Sequence, residues 1–265
     1  MATPFAPFKA DRFSSTVPHY IEGRLNYPPR LIEQVAAALD LQPGDNVLDL
    51  GCGPGFLAIA FARLGYQALG LDPDKAMLEA ARKLAAREGL NCAFGEGSSF
   101  DLSPSIGRFK LAVMGRSFHW MDRQATLLAL DGMIDRDGAV ALFDDRHIDC
   151  VENSWDGAIN GVRERFGTRS DWKLLRDTLK VEPHAIVLLA SPFSRVDVVG
   201  VLERRSLTIE RAIDRALSYS GSSPAILGDR RSAFEEAVRE ALSPYAKDGR
   251  VTEVVEFTAR VARRP

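Results

Sequence analysis

The sequence predicts an α/β fold: a doubly wound, mostly parallel sheet of seven strands with an antiparallel last strand and a helical lid insert. Three observations carry this. Short apolar runs at residues 47–50, 66–71, 91–94, 109–114 and 139–143 alternate with stretches of helical length and composition, which is the pattern of βαβ units. The first run breaks at once into the turn Gly51-Cys52-Gly53-Pro54-Gly55, and the second ends at Asp72. The last run, residues 251–261, carries its apolar side chains mostly at odd positions, and such alternation fits an antiparallel strand better than another one buried on both faces.

Composition bounds the classes open to such a chain. With 265 residues, 46% of them hydrophobic, it can bury one substantial core. The expected division is an N-terminal arm and ligand-binding core at 1–146, a helical insert at 147–194, and a completion of the same sheet at 195–265. No apolar run approaches the roughly 20 residues of a membrane span, and residues 1–20 lack a secretory apolar stretch. The expectation is a cytoplasmic protein with no membrane partner. Cys52, Cys92 and Cys150 form no C-x-x-C pair, so neither a disulfide framework nor a metal site is indicated. Thirty-four basic against 36 acidic residues leave a net charge of −2, which argues against a nucleic-acid partner held by a broad positive surface.

Along the chain, residues 1–27 read as irregular, because Pro4, Pro7 and Pro18 discourage helix. Phe13, Tyr20, Arg24 and Tyr27 stand out within them. Pro28-Pro29-Arg30 then opens a helix whose apolar face is Leu31, Ile32, Val35, Ala36 and Leu39. After the first strand and its glycine turn, residues 56–64 have helical length and alanine content. Asp72 closes the second strand roughly 20 residues beyond the glycine turn, where a carboxylate can accept both hydroxyls of a ribose. Its rival role, capping the helix at 75–88, can fall to Asp74 instead. Met77, one turn into that helix, is placed to touch a base or to pack in the core.

The third strand, 91–94, runs into Gly95-Glu96-Gly97-Ser98-Ser99-Phe100. From the end of the fourth hangs Gly115-Arg116-Ser117-Phe118-His119-Trp120. In open parallel sheets ligands bind outside the carboxyl ends of the strands, so this segment should face the reacting centre. The insert has helical stretches at 155–166 and 171–179 and an apolar run at 185–190. Trp155, Trp172 and Phe193 are its aromatics for substrate or core. A sixth strand at 196–202, helices at 208–219 and 231–242, and the alternating last strand complete the chain.

The glycine spacing selects the ligand. A dinucleotide fingerprint needs G-x-G-x-x-G, but here the third glycine comes one residue early and Phe56 fills its slot. Asp49, two residues before Gly51, would repel a pyrophosphate and attract an ammonium or sulfonium. The run Val47-Leu48-Asp49-Leu50-Gly51-Cys52-Gly53-Pro54-Gly55 resembles the first motif of the class I S-adenosylmethionine (SAM) dependent methyltransferases, whose sheet is Rossmann-like. The resemblance covers residues 46–146 closely, the arm and C-terminal third loosely and the insert hardly at all, and it is to the small-molecule group, methyltransferase type 11 or trans-aconitate-like.

The resemblance implies a set of contacts. Asp49, Gly51, Cys52 and Gly53 would meet the cofactor at the turn, with Asp72, Pro73 and Met77 at the ribose and base. Glu96, Gly97 and Ser98 would meet the adenine, and Gly115 and Arg116 would lie beside the methyl. Tyr20 and Arg24 match a Y-x-x-x-R-x-x-Y-P-like segment that folds over the cofactor in this group, and would touch its methionine carboxylate end or the substrate. Tyr27, His119, Trp120 and Trp155 are the acceptor-side candidates, the His-Trp pair resembling an element that follows this strand in the family.

The expected reaction is methyl transfer from SAM to a small-molecule acceptor by direct displacement, with S-adenosylhomocysteine (SAH) as product. His119, titrating near neutrality, would take a proton from a hydroxyl or ammonium acceptor, whereas a carboxylate would need no base. Arg24, Arg163 and Arg165 point to an acidic acceptor. A monomer or homodimer is expected. The rival readings are an RNA or protein methyltransferase, a non-catalytic SAM- or SAH-binding relative, and a nicotinamide-dependent oxidoreductase.

Overall fold

In the computed structural model, Asn46–Leu50 (β1) is the strand around which the sheet is laid, and its last four residues are buried. Residues 9–168 and 181–265 are described. Parallel neighbours cover both edges of β1: Gln67–Asp72 (β2) on one side and Phe109–Gly115 (β4) on the other. Ala93–Glu96 (β3) lies outside β2, and Ile134–His147 (β5) lies outside β4, again parallel. Arg250–Arg263 (β7) then runs antiparallel against β5, and Arg195–Thr208 (β6) antiparallel against β7 at the sheet edge. The order is β3-β2-β1-β4-β5-β7-β6. Strand order therefore reverses between β1 and β4, and a crevice opens above their C-terminal tips.

Alternate residues of the central strands feed two cores. Val47, Val113 and Phe143 pack with Pro29–Ala38 (α2) and Phe56–Arg63 (α3) through Leu31, Val35 and Phe61. Leu48, Leu50 and Met114 pack on the other face with Leu127 and Leu130 of Arg123–Asp131 (α5). Lys75–Arg87 (α4) follows β2. A third core stands off the sheet: Trp155 and Ile159 of Ser154–Arg165 (α6) meet Ile213 of Ile209–Leu217 (α8) and Phe234 of Arg231–Leu242 (α9). The insert is thus completed by the C-terminal helices. Its apolar run folds separately as the short helix His184–Leu189 (α7), packed under the sheet through Val187 and Leu188.

Several expectations change. The N-terminal arm is not wholly irregular: Val17–Gly23 (α1) is helical with Pro18 in its first turn, where a missing N–H costs nothing. Strand β3 starts two residues late, so Glu96 ends the strand itself. Trp155 is no substrate contact, because its ring is buried in the third core and its Nε1 donates to the Thr252 carbonyl at 2.7 Å. Phe193 is likewise core. The expected helix at 171–179, with Trp172, lies outside the described residues. Among the described residues no helix is long and apolar enough to cross a membrane.

One polar cluster ties these layers together. Arg215 on α8 donates to Glu253 of β7 at 2.6 Å and to the Gly23 carbonyl of α1 at 3.0 Å. His147 at the end of β5 meets Glu253 through Nε2 at 3.0 Å and Asp156 of α6 through Nδ1 at 3.4 Å. Helix α1 lies so close to α8 that a Cβ on Gly23 would overlap the backbone of Asp214 and Arg215. Burial alone would lower His147, but its bonds to Asp156 and Glu253 raise it to about 9.

A histidine raised on folding stabilises fully below its ordinary value of 6.5 and loses that contribution as pH climbs through the folded value. Urea unfolding should therefore show stability falling by up to ~3 kcal/mol between about pH 6.5 and 9.5. His147→Gln should remove that alkaline slope, read from Trp155, whose ring lies 5.1 Å from His147. Equal slopes in both proteins would place the linkage elsewhere.

Candidate active site

A cavity of about 420 Å³ occupies the crevice above the tips of β1, β2, β4 and β5. Its floor is the glycine turn, where Gly51, Gly53 and Gly55 all have positive φ. At Gly51 a Cβ would sit 2.7 Å from Ser117 Cβ, and the Ser117 hydroxyl donates to the Leu50 carbonyl at 2.8 Å, so the tips of β1 and β4 are locked together. At Gly53 a Cβ would meet nothing within 4 Å, leaving bare backbone open to the cavity. Such a floor lets a ligand approach without striking a side chain.

Asp72 forms the wall beside this floor. One oxygen accepts the Gly53 amide at 2.8 Å and the other the Asp74 amide at 2.9 Å, while Asp74 caps α4 through the amides of Ala76 and Met77. Burial raises the Asp72 carboxyl to about 6, against the pull of those two amides. Each oxygen keeps a further lone pair for a hydroxyl donor. Pro73, Met77 and Ser98 continue this wall.

Asp49 does not reach the cavity, contrary to expectation. It is 2% exposed, and its Oδ2 accepts the Ala58 amide at 2.9 Å. The N-cap of α3 is Gly55, which has no side chain to receive the helix's first amides, and the strand below supplies the acceptor. Burial raises this carboxyl to about 7. Cys52 is also turned inward, its sulfur packed against Gly70 of β2. Glu96 points to solvent and pairs with Lys75 at 3.3 Å. The Gly97 amide, expected to face an adenine, donates instead to the Asp72 carbonyl at 3.2 Å. Late entry into β3 is the cause, since it makes Glu96 the last strand residue and leaves the Gly97 amide just beyond it to bond the neighbouring strand.

On the opposite side Gly115 and Arg116 line the cavity at the tip of β4. Arg116 holds a left-handed backbone (φ 58°) and donates to Asp145 at 2.8 Å and to the Leu25 carbonyl at 3.0 Å. Tyr27 lies behind it rather than in the wall: it is buried, donates to the Phe143 carbonyl at 3.3 Å, and carries the Arg116 guanidinium 4.8 Å above its ring. Tyr20 and Arg24 of the arm do reach the cavity, as do His119 and Trp120. Trp120 is fixed by Phe13 at 5.8 Å and by the His119 ring at 4.6 Å.

His119 does not titrate near neutrality. Burial, followed by His184, Arg24, Arg123 and Arg12, pushes it down to about 3. The imidazole is neutral, able to donate and accept a hydrogen bond but a weak base. Asp144 shows the opposite behaviour: its side chain is exposed, neighbouring Asp145 pushes its carboxyl upward, and it faces the cavity from the tip of β5. Sequence reasoning missed Asp144 because it ended that strand at residue 143. It also missed Tyr219, which closes the far end with Arg163. The positional rule that found Asp72 and His119 would have found Asp144; nothing local marks Tyr219.

Residues 47–136 match a family model described as a methyltransferase domain. Ribosomal protein L11 methyltransferase of Thermus thermophilus is 47% identical over 78 residues, 29% of this chain and 30% of that one. Ribosomal RNA small subunit methyltransferase C of Alcanivorax borkumensis is 32% identical over 100 residues, 38% of this chain and 30% of that one. The chain thus spans about a third of the length of these curated relatives. A SAM-dependent methyltransferase from Geobacter sulfurreducens, solved in complex with SAH, aligns over 100% of both chains with a TM-score of 0.54 and 18% identity, a likeness of fold.

Proposed function

We propose that this chain, which matches a methyltransferase domain over residues 47–136, transfers the methyl group of SAM to a small-molecule acceptor held beside it. One observation supports this above others. A single cavity of about 420 Å³ runs from the bare glycine floor and Asp72 to Tyr219 and Arg163, walled by the arm, the insert and the C-terminal helices. That volume lies in the range of small-ligand pockets. A net charge of −2 offers no general attraction to RNA.

The residues present fit the cofactor. Asp72 would accept the ribose hydroxyls, Gly51 and Gly53 would let backbone approach, and Pro73, Met77 and Ser98 would border the base. Tyr20, Arg24, Gly115 and Arg116 would hold the methionine end. When bound, SAM supplies a methyl carbon already made electrophilic by its sulfonium. The chain's own work is then orientation and exclusion of water, which together can lower a barrier by several kcal/mol.

His119 positions the acceptor as a neutral hydrogen-bond partner. A proton released by a hydroxyl or ammonium acceptor goes to Asp144, which faces the cavity and whose proton affinity the charge of neighbouring Asp145 increases. Free Cys52, Cys92 and Cys150 suit a cytoplasmic enzyme.

Methyl-labelled SAM should leave its label in the low-molecular-weight fraction of a metabolite extract, and label appearing only in RNA or protein would overturn the small-molecule reading. In calorimetry Asp72→Ala should weaken SAH binding at least about tenfold, through loss of charge-assisted bonds. Asp49→Asn should leave that affinity within about threefold while costing ~1 kcal/mol of stability through the weakened helix cap. With the acceptor identified, Asp144→Asn should lower kcat by about 10²-fold or more if a proton is taken there. His119→Gln should act mainly on KM, and the reverse pattern would return the base to His119.

A further inference from the structure

The far end of the cavity holds two guanidinium groups with no carboxylate between them. Arg24 comes from the arm just past α1, Arg163 from α6 of the insert, and both lie over the ring of Tyr219, which follows α8. The guanidinium carbons stand 4.1 Å and 4.5 Å from that one ring centroid. Elsewhere Arg116 has Asp145 and Arg215 has Glu253 as carboxylate partners, while Arg123 is held by the Glu182 carbonyl and His184. Among the described residues neither Arg24 nor Arg163 has a carboxylate within ion-pair distance. Their polar contacts within the chain are long: Arg24 to the Ser218 carbonyl at 3.4 Å and Arg163 to the Asn160 side chain at 3.4 Å. Among the described residues the Nε atom of each is buried with no hydrogen-bond partner, a state shared with Arg116 Nε, whose guanidinium is otherwise paired with Asp145.

This arrangement is costly for the chain alone. Two like charges face a shared ring in a partly dry space, and a buried donor without an acceptor forfeits its hydration. Burial and the neighbouring Arg24 charge both act against the charged form of Arg163. Cation–π contact with Tyr219 offsets part of that cost but supplies no hydrogen-bond acceptor. An oxyanion would supply both charge and acceptors, and a planar carboxylate matches the guanidinium fork in two parallel bonds.

The cofactor has one carboxylate, and Arg24, which also lies 5.1 Å over the Tyr20 ring, is its proposed partner. Arg163 is left over. We infer that Arg163 binds a carboxylate carried by the methyl acceptor, so that the acceptor is a small organic acid whose apolar body lies along the aromatic wall of Phe13, Tyr20 and Trp120. The inference rests on the methyltransferase reading for the identity of the two ligands. The acid end is an anchor distinct from the position facing His119 and Asp144, so the atom methylated need not be the carboxylate itself. Because Arg163 sits on the insert, binding the acid also holds the insert against the arm.

The test uses two pairs of probes, phenylacetate with phenylacetamide and hexanoate with hexanamide, titrated calorimetrically into the full chain saturated with SAH. At least one acid should bind at least about tenfold tighter than its amide, the worth of a charge-assisted hydrogen bond. Arg163→Gln should abolish the preference while leaving SAH affinity within about threefold, which also shows that the variant is folded. Arg163→Lys should retain a weakened preference, since charge survives but the fork does not. Acids that bind no better than their amides, or a preference that persists in Arg163→Gln, would overturn the inference and leave the methyltransferase reading standing. If SAH itself does not bind, that reading fails instead, and the acid–amide comparison on the free protein still decides whether Arg163 is an anion site.

Discussion

A helix that starts at a glycine has no cap of its own, and much of this site follows from how that deficit is met. The floor at residues 51–55 must be free of side chains if a ligand is to lie on it, so α3 begins after Gly55 in a left-handed conformation. Its first amides are then left without a local acceptor. Asp49, one strand residue before Leu50, answers from beneath by accepting the Ala58 amide. Both the exposed face of the turn and its buried underside are thereby assigned: bare backbone above, carboxylate below. The cost is a carboxyl raised by burial to about 7, tolerated because it is hydrogen-bonded rather than isolated.

The second constraint is closure. The sheet alone leaves its crevice open, and three distant segments add walls that cover it in part: the arm with Tyr20 and Arg24, the insert with Arg163, and the C-terminal segment with Tyr219. None of these could stand independently. Helix α1 is pinned on α8 through Gly23, and Arg215 joins that contact to Glu253 in the last strand. His147 extends the same cluster to Asp156 on the insert. Burial alone would raise Glu253, but the bonds from His147 and Arg215 hold it down at about 2, so the cluster is ionised throughout the neutral range. Cavity walls drawn from positions more than a hundred residues apart are fastened by charges that are themselves dry, where each bond is worth most.

The order of legibility follows the range of the forces. Strand positions, the glycine turn, the helix 231–242 and the reversed last strand depend on periodicity and local chemistry, and all are present. Asp74 caps α4 and Asp72 lines the cavity, a division open to sequence reasoning because the two are different positions on one short loop. Asp49 was misplaced because a motif fixes a residue's place along a strand but not the face it serves, and only the uncapped start of α3 decides that. Glu96 and Gly97 were misplaced by a two-residue shift of β3, a short strand with little apolar content to set its register. Pro18 was read as a breaker when it is a starter. Tyr219 and the dry environment of His119 were invisible, since both arise from contacts between segments far apart in the chain.

The state of His119 shows how such contacts decide chemistry. On residue type alone an imidazole beside a methyl donor is a base. Here burial is the largest influence on it, and His184, Arg24, Arg123 and Arg12 all push in the same direction. A carboxylate placed on Arg24 would cancel one of these repulsions and so raise the proton affinity of His119 when ligand is bound. It would not reverse the effect of burial, which a ligand filling the cavity deepens by displacing water. An imidazole in a cationic pocket is suited to hold an acceptor by hydrogen bonding, while the exposed carboxyl of Asp144, raised by the Asp145 charge beside it, is the proposed group whose charge changes.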